Sequence, residues 1–326
     1  MPMRRSLLGL ALVMAVAASC TSGGDDPAPS GSGGPDEALN AIAATTDLYA
    51  GDPQRVGIGL VLNDGRLVSY GSADMRFSYQ GDGSASTPAP TAGPSATAVY
   101  VPTPGTPEGG TTPVITQPSE GRGIYEAEGV VFDEPGYWQV DVLVDVDGKG
   151  TMRASTVLGV TAEPALPAPG HPALETENLT LKDHDDAPLG AVDSRATSEG
   201  VVPDKILHEM TIAEALDRQM PIVVVFSTPV FCQTQFCGPV TDVIQGLAER
   251  YSDRAAFIHV EIYRHYEPGN VVVNQAAADW LLRNNDLTEP WVYLIGADGT
   301  IQDRWAVLFR AEELEADLQA LPKLHN

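Results

Sequence analysis

Two domains of different class are predicted for this 326-residue chain, an all-β module followed by an α/β domain. Three observations predict them. Residues 47–160 alternate apolar and polar positions between Asn/Asp-Gly turns, as antiparallel strands with one wet face do. From residue 204 the pattern changes to helical periods separated by short, all-apolar β-branched runs. Between the two, residues 161–202 are dense in proline and acid and read as a linker.

The first segment is an address. Arg4-Arg5 precedes an apolar run at 7–18 of roughly a dozen residues, short of the ~20 that a spanning helix needs. A basic start, a short apolar core and small residues before a cut site describe an export signal. Ending in Ala17-Ala18-Ser19-Cys20, it resembles a bacterial lipoprotein signal, in which the cysteine becomes the lipidated first residue. Ala17 stands where that pattern usually has leucine. The resemblance implies a signal at 1–20, lipid on Cys20, and a protein held to the cell membrane on its extracytoplasmic side. Residues 21–46, opening TSGGDDPAPSGSGGP, read as a flexible tether. No second apolar segment is long enough to span. A net charge of −25 excludes nucleic acid as a default partner, and its thin spread along the chain reads as solvated surface.

In the β module, RVGIGLVL and RLVSYG flank Asn63-Asp64-Gly65, a hairpin signal. Later, GIYEAEGVVF and GYWQVDVLVDV alternate, and Asp147-Gly148 turns the chain into TMRASTVLGV. Residues 81–120, rich in Ser, Thr, Pro, Ala and Gly, read as a disordered insertion. The module resembles a small immunoglobulin-like β-sandwich, with FDEPGYWQVDVLV the phrase before a core strand and Trp138 in that core. In the linker, His184 among Asp183, Asp185 and Asp186 reads as solvated, and Asn178-Leu179-Thr180 carries no weight as a glycosylation acceptor in a bacterial lipoprotein.

In the C-terminal part, Thr211-Ile212-Ala213-Glu214 is a capping box opening a helix. PIVVVF at 221–226 is a strand buried on both faces. Residues 238–251 are helical, with Pro239 suited to a first turn. AAFIHVEIY is a strand and NQAAADWLLRN a helix; PWVYLIG and TIQDRWAVL form a hairpin around Ala297-Asp298-Gly299, and AEELEADLQAL closes the chain as an amphipathic helix.

Outside the cytoplasm disulfides persist. Setting Cys20 aside, the remaining pair is Cys232 with Cys237, in STPVFCQTQFCGPVTDVI. Cys237 lies at a helix start, where unpaired amides and the dipole favour a thiolate. Cys232 lies in the loop before it.

The element order, with cysteines at a strand-to-helix turn, resembles the thioredoxin superfamily across residues 203–326. PIVVVF leads into the cysteine loop, Cys237-Gly238-Pro239 opens the helix, and Glu289-Pro290 stands where that superfamily keeps a cis-proline beside its active site. Departures accompany the likeness. Four residues separate the cysteines instead of two, Val240 replaces the second cysteine, Phe236 a tryptophan and Val225 a buried acid, and Glu289 is an acid before the proline. Copper-delivery relatives put their first cysteine nearer Cys232, so which thiol attacks stays open.

Three functions follow from the resemblance. The first is an envelope thiol–disulfide oxidoreductase with Cys232, Cys237 and Pro290 as its site, protein thiols or disulfides as partners, and no cofactor. The second is a copper chaperone drawing on His259 or His265 beside the cysteines. The third is a non-catalytic binding lipoprotein with a structural disulfide.

Overall fold

The computed structural model describes residues 38–84, 89–107, 109–183, 187–232 and 234–324. Its first ten strands are β1 (Leu39–Ala43), β2 (Leu48–Tyr49), β3 (Pro53–Leu62), β4 (Leu67–Ser69), β5 (Ser72–Gly81), β6 (Thr91–Pro102), β7 (Val114–Thr116), β8 (Gly123–Val131), β9 (Gly136–Val146) and β10 (Gly150–Thr161). All ten join one hydrogen-bonded sheet, ordered β2-β10-β9-β5-β6-β8-β3-β4-β7, with β1 added against β3. The expected alternation is real: Trp138, Val140, Val142, Val144 and Val146 on β9 all face the core. The ladder is continuous where two separate sheets were expected. Irregularities at Gln54/Val56, Arg76/Ser78 and Tyr79/Gly81 interrupt the register. Such bulges bend strands and add twist, and the sheet curls until β1 touches β10. Trp138 is core, as read, with its indole N–H donated to the Glu134 carbonyl at 3.0 Å.

The α-helices and remaining strands are α1 (Ile212–Asp217), β11 (Ile222–Ser227), α2 (Cys237–Tyr251), β12 (Ala256–Glu261), β13 (Tyr263–Glu267), β14 (Asn270–Val273), α3 (Gln275–Leu281), β15 (Trp291–Ile295), β16 (Ile301–Ala306) and α4 (Ala311–Ala320). A second sheet runs β12-β11-β15-β16, parallel between β11 and β12 and antiparallel elsewhere. The Thr211–Glu214 capping box is formed, and every residue of β11 is buried.

The fold class expected from the sequence, an α/β thioredoxin-like domain behind a sandwich, is corrected by this architecture. Strands take 41% of the chain and helices 17%, so the molecule is mostly β and does not present a clear α/β C-terminal domain. Helical periodicity overstated the helices. NQAAADWLLRN yields only α3, because Leu282 turns extended and Asn284 and Asn285 adopt positive φ. The segment after β12, which carries no clear strand pattern in the sequence, forms the β13–β14 hairpin.

Three segments expected to be unstructured contain ordered residues. Within 81–120, β6 pairs with both β5 and β8. Its proline, serine and glycine hid an inward set that includes Ala98 and Tyr100. Within 21–46, β1 pairs with β3. Along 161–202, Leu166, Ala168, Thr176 and Asn178 are buried. The Asn178 side-chain oxygen accepts the Ile212 N–H at 2.8 Å, which ties this strap to the start of α1. The signal, Cys20 and the trio His184, Asp185 and Asp186 lie outside the described residues. Among the described residues no helix is long and apolar enough to cross a membrane.

All described residues belong to one compact unit, Gly33–Asn326. The two sheets share side chains: Val101 and Ile124 of the first pack with Val223, Val225, Val292 and Trp305 of the second. Arg304 adds a buried polar joint. Its guanidinium donates to the Asp47 carboxylate at 2.7 Å and to the Pro167 carbonyl at 2.9 Å, and lies over the rings of Trp291 and Tyr49.

Candidate functional site

The cysteine loop is held at both ends. β11 delivers the chain to Ser227, whose hydroxyl meets Thr241 of α2 at 2.7 Å, and the Cys232 N–H returns to the Thr228 carbonyl at 3.0 Å. Between them the loop turns through Gln235, a residue at φ 64. Cys232 and Cys237 form a disulfide, with Cα atoms 6.0 Å apart.

The two sulfurs sit in unlike surroundings. Cys237 is fully buried in the first turn of α2, whereas Cys232 is partly exposed. The Cys237 backbone N–H, one of the unpaired donors at the α2 start, points to the Cys232 sulfur at 3.4 Å, and Thr234 Oγ1 lies 3.2 Å from it. Position in the sequence favoured Cys237 as the better stabilised thiolate. The geometry instead sends the helix-end donor to Cys232, because the loop folds back over the helix start.

A second wall comes from Glu289 and Pro290. Their peptide bond is cis, Pro290 is buried, and its carbonyl accepts the Val307 N–H at 2.8 Å. A Glu289 carboxylate oxygen and the two sulfurs all lie within 4.8 Å of one another. Burial pushes this carboxyl up to about 7. Beside it, burial and then the Glu289 charge push Tyr263 up to about 12. Phe231 stacks on Tyr266 at 4.5 Å and meets Tyr263 edge-on, giving the loop an aromatic shelf next to exposed Val230. From the loop just before β8, Arg122 donates to Gln235 Oε1 at 2.7 Å.

Underneath lies a buried charge network. Asp193, His208 and His259 are each fully buried. The Asp193 carboxylate meets Arg195 Nη2 at 2.8 Å and His208 Nε2 at 3.2 Å. Burial works to raise its pKa, but the His208 and Arg195 hydrogen bonds win and hold it well below the usual carboxylate range. Burial drives His259 down to about 3, so its ring is neutral, with Nε2 3.2 Å from the Ser227 carbonyl at the root of the loop. The neighbouring Ser194 completes the support: its N–H donates to Glu261 at 2.8 Å and its hydroxyl accepts the Val230 N–H at 3.2 Å.

The structure joins Cys232 to Cys237 in a disulfide and places Glu289, the residue before Pro290, beside both sulfurs. It places His259 in the network beneath and His265 beside Glu267, 3.5 Å away on the hairpin. Among the described residues no histidine joins the cysteine cluster; its third member is Glu289. That residue was visible in the sequence only as an unexpected acid before the proline. Asp193 and Arg195 lie in the segment whose composition reads as linker, and Arg122 falls between the insertion at 81–120 and the strand pattern that begins at Gly123. No protein-family model matches the chain, and no curated protein matches it either.

Proposed function

We propose that the protein is an exported, lipid-anchored thiol–disulfide exchange protein acting on protein thiols or disulfides of the cell envelope. The observation that carries the reading is the asymmetry of the pair. Cys232 is partly exposed and has a helix-end N–H aimed at its sulfur, while its partner Cys237 is buried behind it. A client thiolate reaches the Cys232 sulfur, forms a mixed disulfide there, and displaces Cys237 as a thiolate. A second client thiol then attacks its own sulfur in that mixed disulfide, and Cys232 leaves. The client is oxidised by two electrons and the protein becomes a dithiol. Run in reverse, the same steps reduce a client disulfide. The shelf of Phe231, Tyr266 and Val230 offers apolar surface to an extended client chain.

A static bridge is the competing account. Closing so short a loop contributes only about 2 kcal/mol by chain entropy, a modest return for a staple in a region already held by two sheets. The test is the reduction potential of the pair, set by equilibration with glutathione, together with an exchange assay. A potential above about −300 mV with measurable exchange is expected. A lower potential with no exchange leaves a structural disulfide, and tight Cu(I) binding lost on changing either cysteine points to copper carriage instead.

The address has its own test. Cys20→Ser is expected to release the protein from the membrane fraction or to block its processing. A variant that stays with membranes at its mature size excludes the lipid anchor.

A further inference from the structure

The buried sulfur poses a proton problem. If the pair exchanges with clients, as proposed above, Cys237 leaves as a thiolate when the bridge opens and must lose a proton when it closes. Fully buried, it has no direct contact with solvent through which to trade that proton. The neighbouring strand offers no carrier, since β11 turns Val223 and Val225 toward the core shared with α2. The nearby buried acids are otherwise engaged: Asp193 is paired with Arg195, and Glu261 accepts N–H donors from Ser194 and Tyr263.

Glu289 is different. A carboxylate oxygen lies within 4.8 Å of both sulfurs, a gap that one water closes. Its carboxyl is half-buried, and burial is the whole cause of its raised pKa, with no charged or hydrogen-bonding partner contributing. We infer that Glu289 is the proton relay of the pair, giving its proton to Cys237 when the disulfide is opened and taking it back when the disulfide forms.

The chemistry balances with dithiothreitol as the probe. One of its thiolates attacks Cys232, the Cys232–Cys237 bond breaks, and Cys237 leaves with the electron pair and receives the Glu289 proton. The second thiol of the probe then closes its ring and frees Cys232. Glu289 recovers a proton from solvent. The titratable groups facing Glu289 are Tyr263 on β13 and the two cysteines, and burial alone accounts for its rise to about 7. The acid form is thus present below that pH and lost above it.

The experiment compares the full-length wild type with Glu289→Gln and Glu289→Asp, following reduction by dithiothreitol across pH, with rates divided by the thiolate fraction of the probe. The wild-type rate constant is expected to fall as pH rises through about 7. Glu289→Gln is expected to be flat and about tenfold slower at the acid end, at the low end of what general acid catalysis contributes. Glu289→Asp, which keeps a carboxyl, is expected to retain an inflection even if the amide variant proves less stable. In the reduced chain, Glu289→Gln is also expected to let a thiol ionise at lower pH, read from thiolate ultraviolet absorbance, because a neighbouring negative charge is gone. A Glu289→Gln profile superimposable on wild type, or an unchanged thiol titration, overturns the relay while leaving exchange intact. A wild type that the probe does not reduce at any pH overturns both.

Discussion

Cys237→Ser turns the protein into a trap: client proteins are expected to accumulate on Cys232 as mixed disulfides, while turnover by dithiol exchange disappears. Cys232→Ser loses turnover as well but traps nothing. The argument rests on access and charge. The Cys232 sulfur is partly exposed and has the Cys237 N–H aimed at it, so as a free thiolate it has a donor at the end of α2 to stabilise it. Cys237 is fully buried and unable to meet a large partner. Without it, a mixed disulfide on Cys232 has no internal thiol to resolve it and persists. Both variants keep the fold, since losing the bridge costs about 2 kcal/mol and the surrounding core is built from β11, β15 and α2. The check is non-reducing electrophoresis after alkylation, with circular dichroism for fold. Trapping on Cys232→Ser but not on Cys237→Ser reverses the assignment of roles, and no trapping on either refutes exchange.

Arg304→Ala is expected to cost about 3–5 kcal/mol, the range for removing one partner of a buried ion pair. Both side chains of the Arg304–Asp47 pair are under a tenth exposed, at 7% and 6%. Asp47 would keep only the N–H groups of Ala165 and Leu166, at 3.0 and 3.2 Å. The Leu166 and Pro167 carbonyls would lose their guanidinium donor. Lysine at this position restores the charge opposite Asp47 but not the fork that reaches those carbonyls, so Arg304→Lys is expected to recover part of the loss. Urea denaturation measures both. A loss below about 1 kcal/mol, the scale of an exposed pair, would mean that this joint does not hold the sheets together.

The sequence shows some of this plainly. The all-apolar run of β11, the Thr211–Glu214 capping box and the inward side of β9 are each local patterns, set by a few neighbouring residues. The cysteine loop was legible for the same reason, since a strand, two thiols and a helix start follow one another along the chain. What stayed hidden depends on distant partners. β6 is poor in the residues that mark a strand and owes its form to β5 and β8 on either side. Within 161–202, Asn178, Asp193 and the backbone at 165–167 are fixed by buried partners elsewhere. Glu289 and Cys237 are 52 positions apart, and no spacing rule links them. The path of the cysteine loop was hidden too: the N–H at the helix start points to the Cys232 sulfur, which folds back over it, and nothing in the spacing of the two cysteines announces that.

The interleaving of Val101 and Ile124 among the side chains of the second sheet bears on portability. A segment beginning at residue 203 would look from its composition like a self-contained cassette for moving a redox centre between scaffolds. Cut there, it leaves behind part of its own interior, the acid that faces Arg304, and the arginine that steadies Gln235. The cysteines can be transplanted in sequence, but the surroundings that make them unlike each other belong to the whole chain from residue 38 onward.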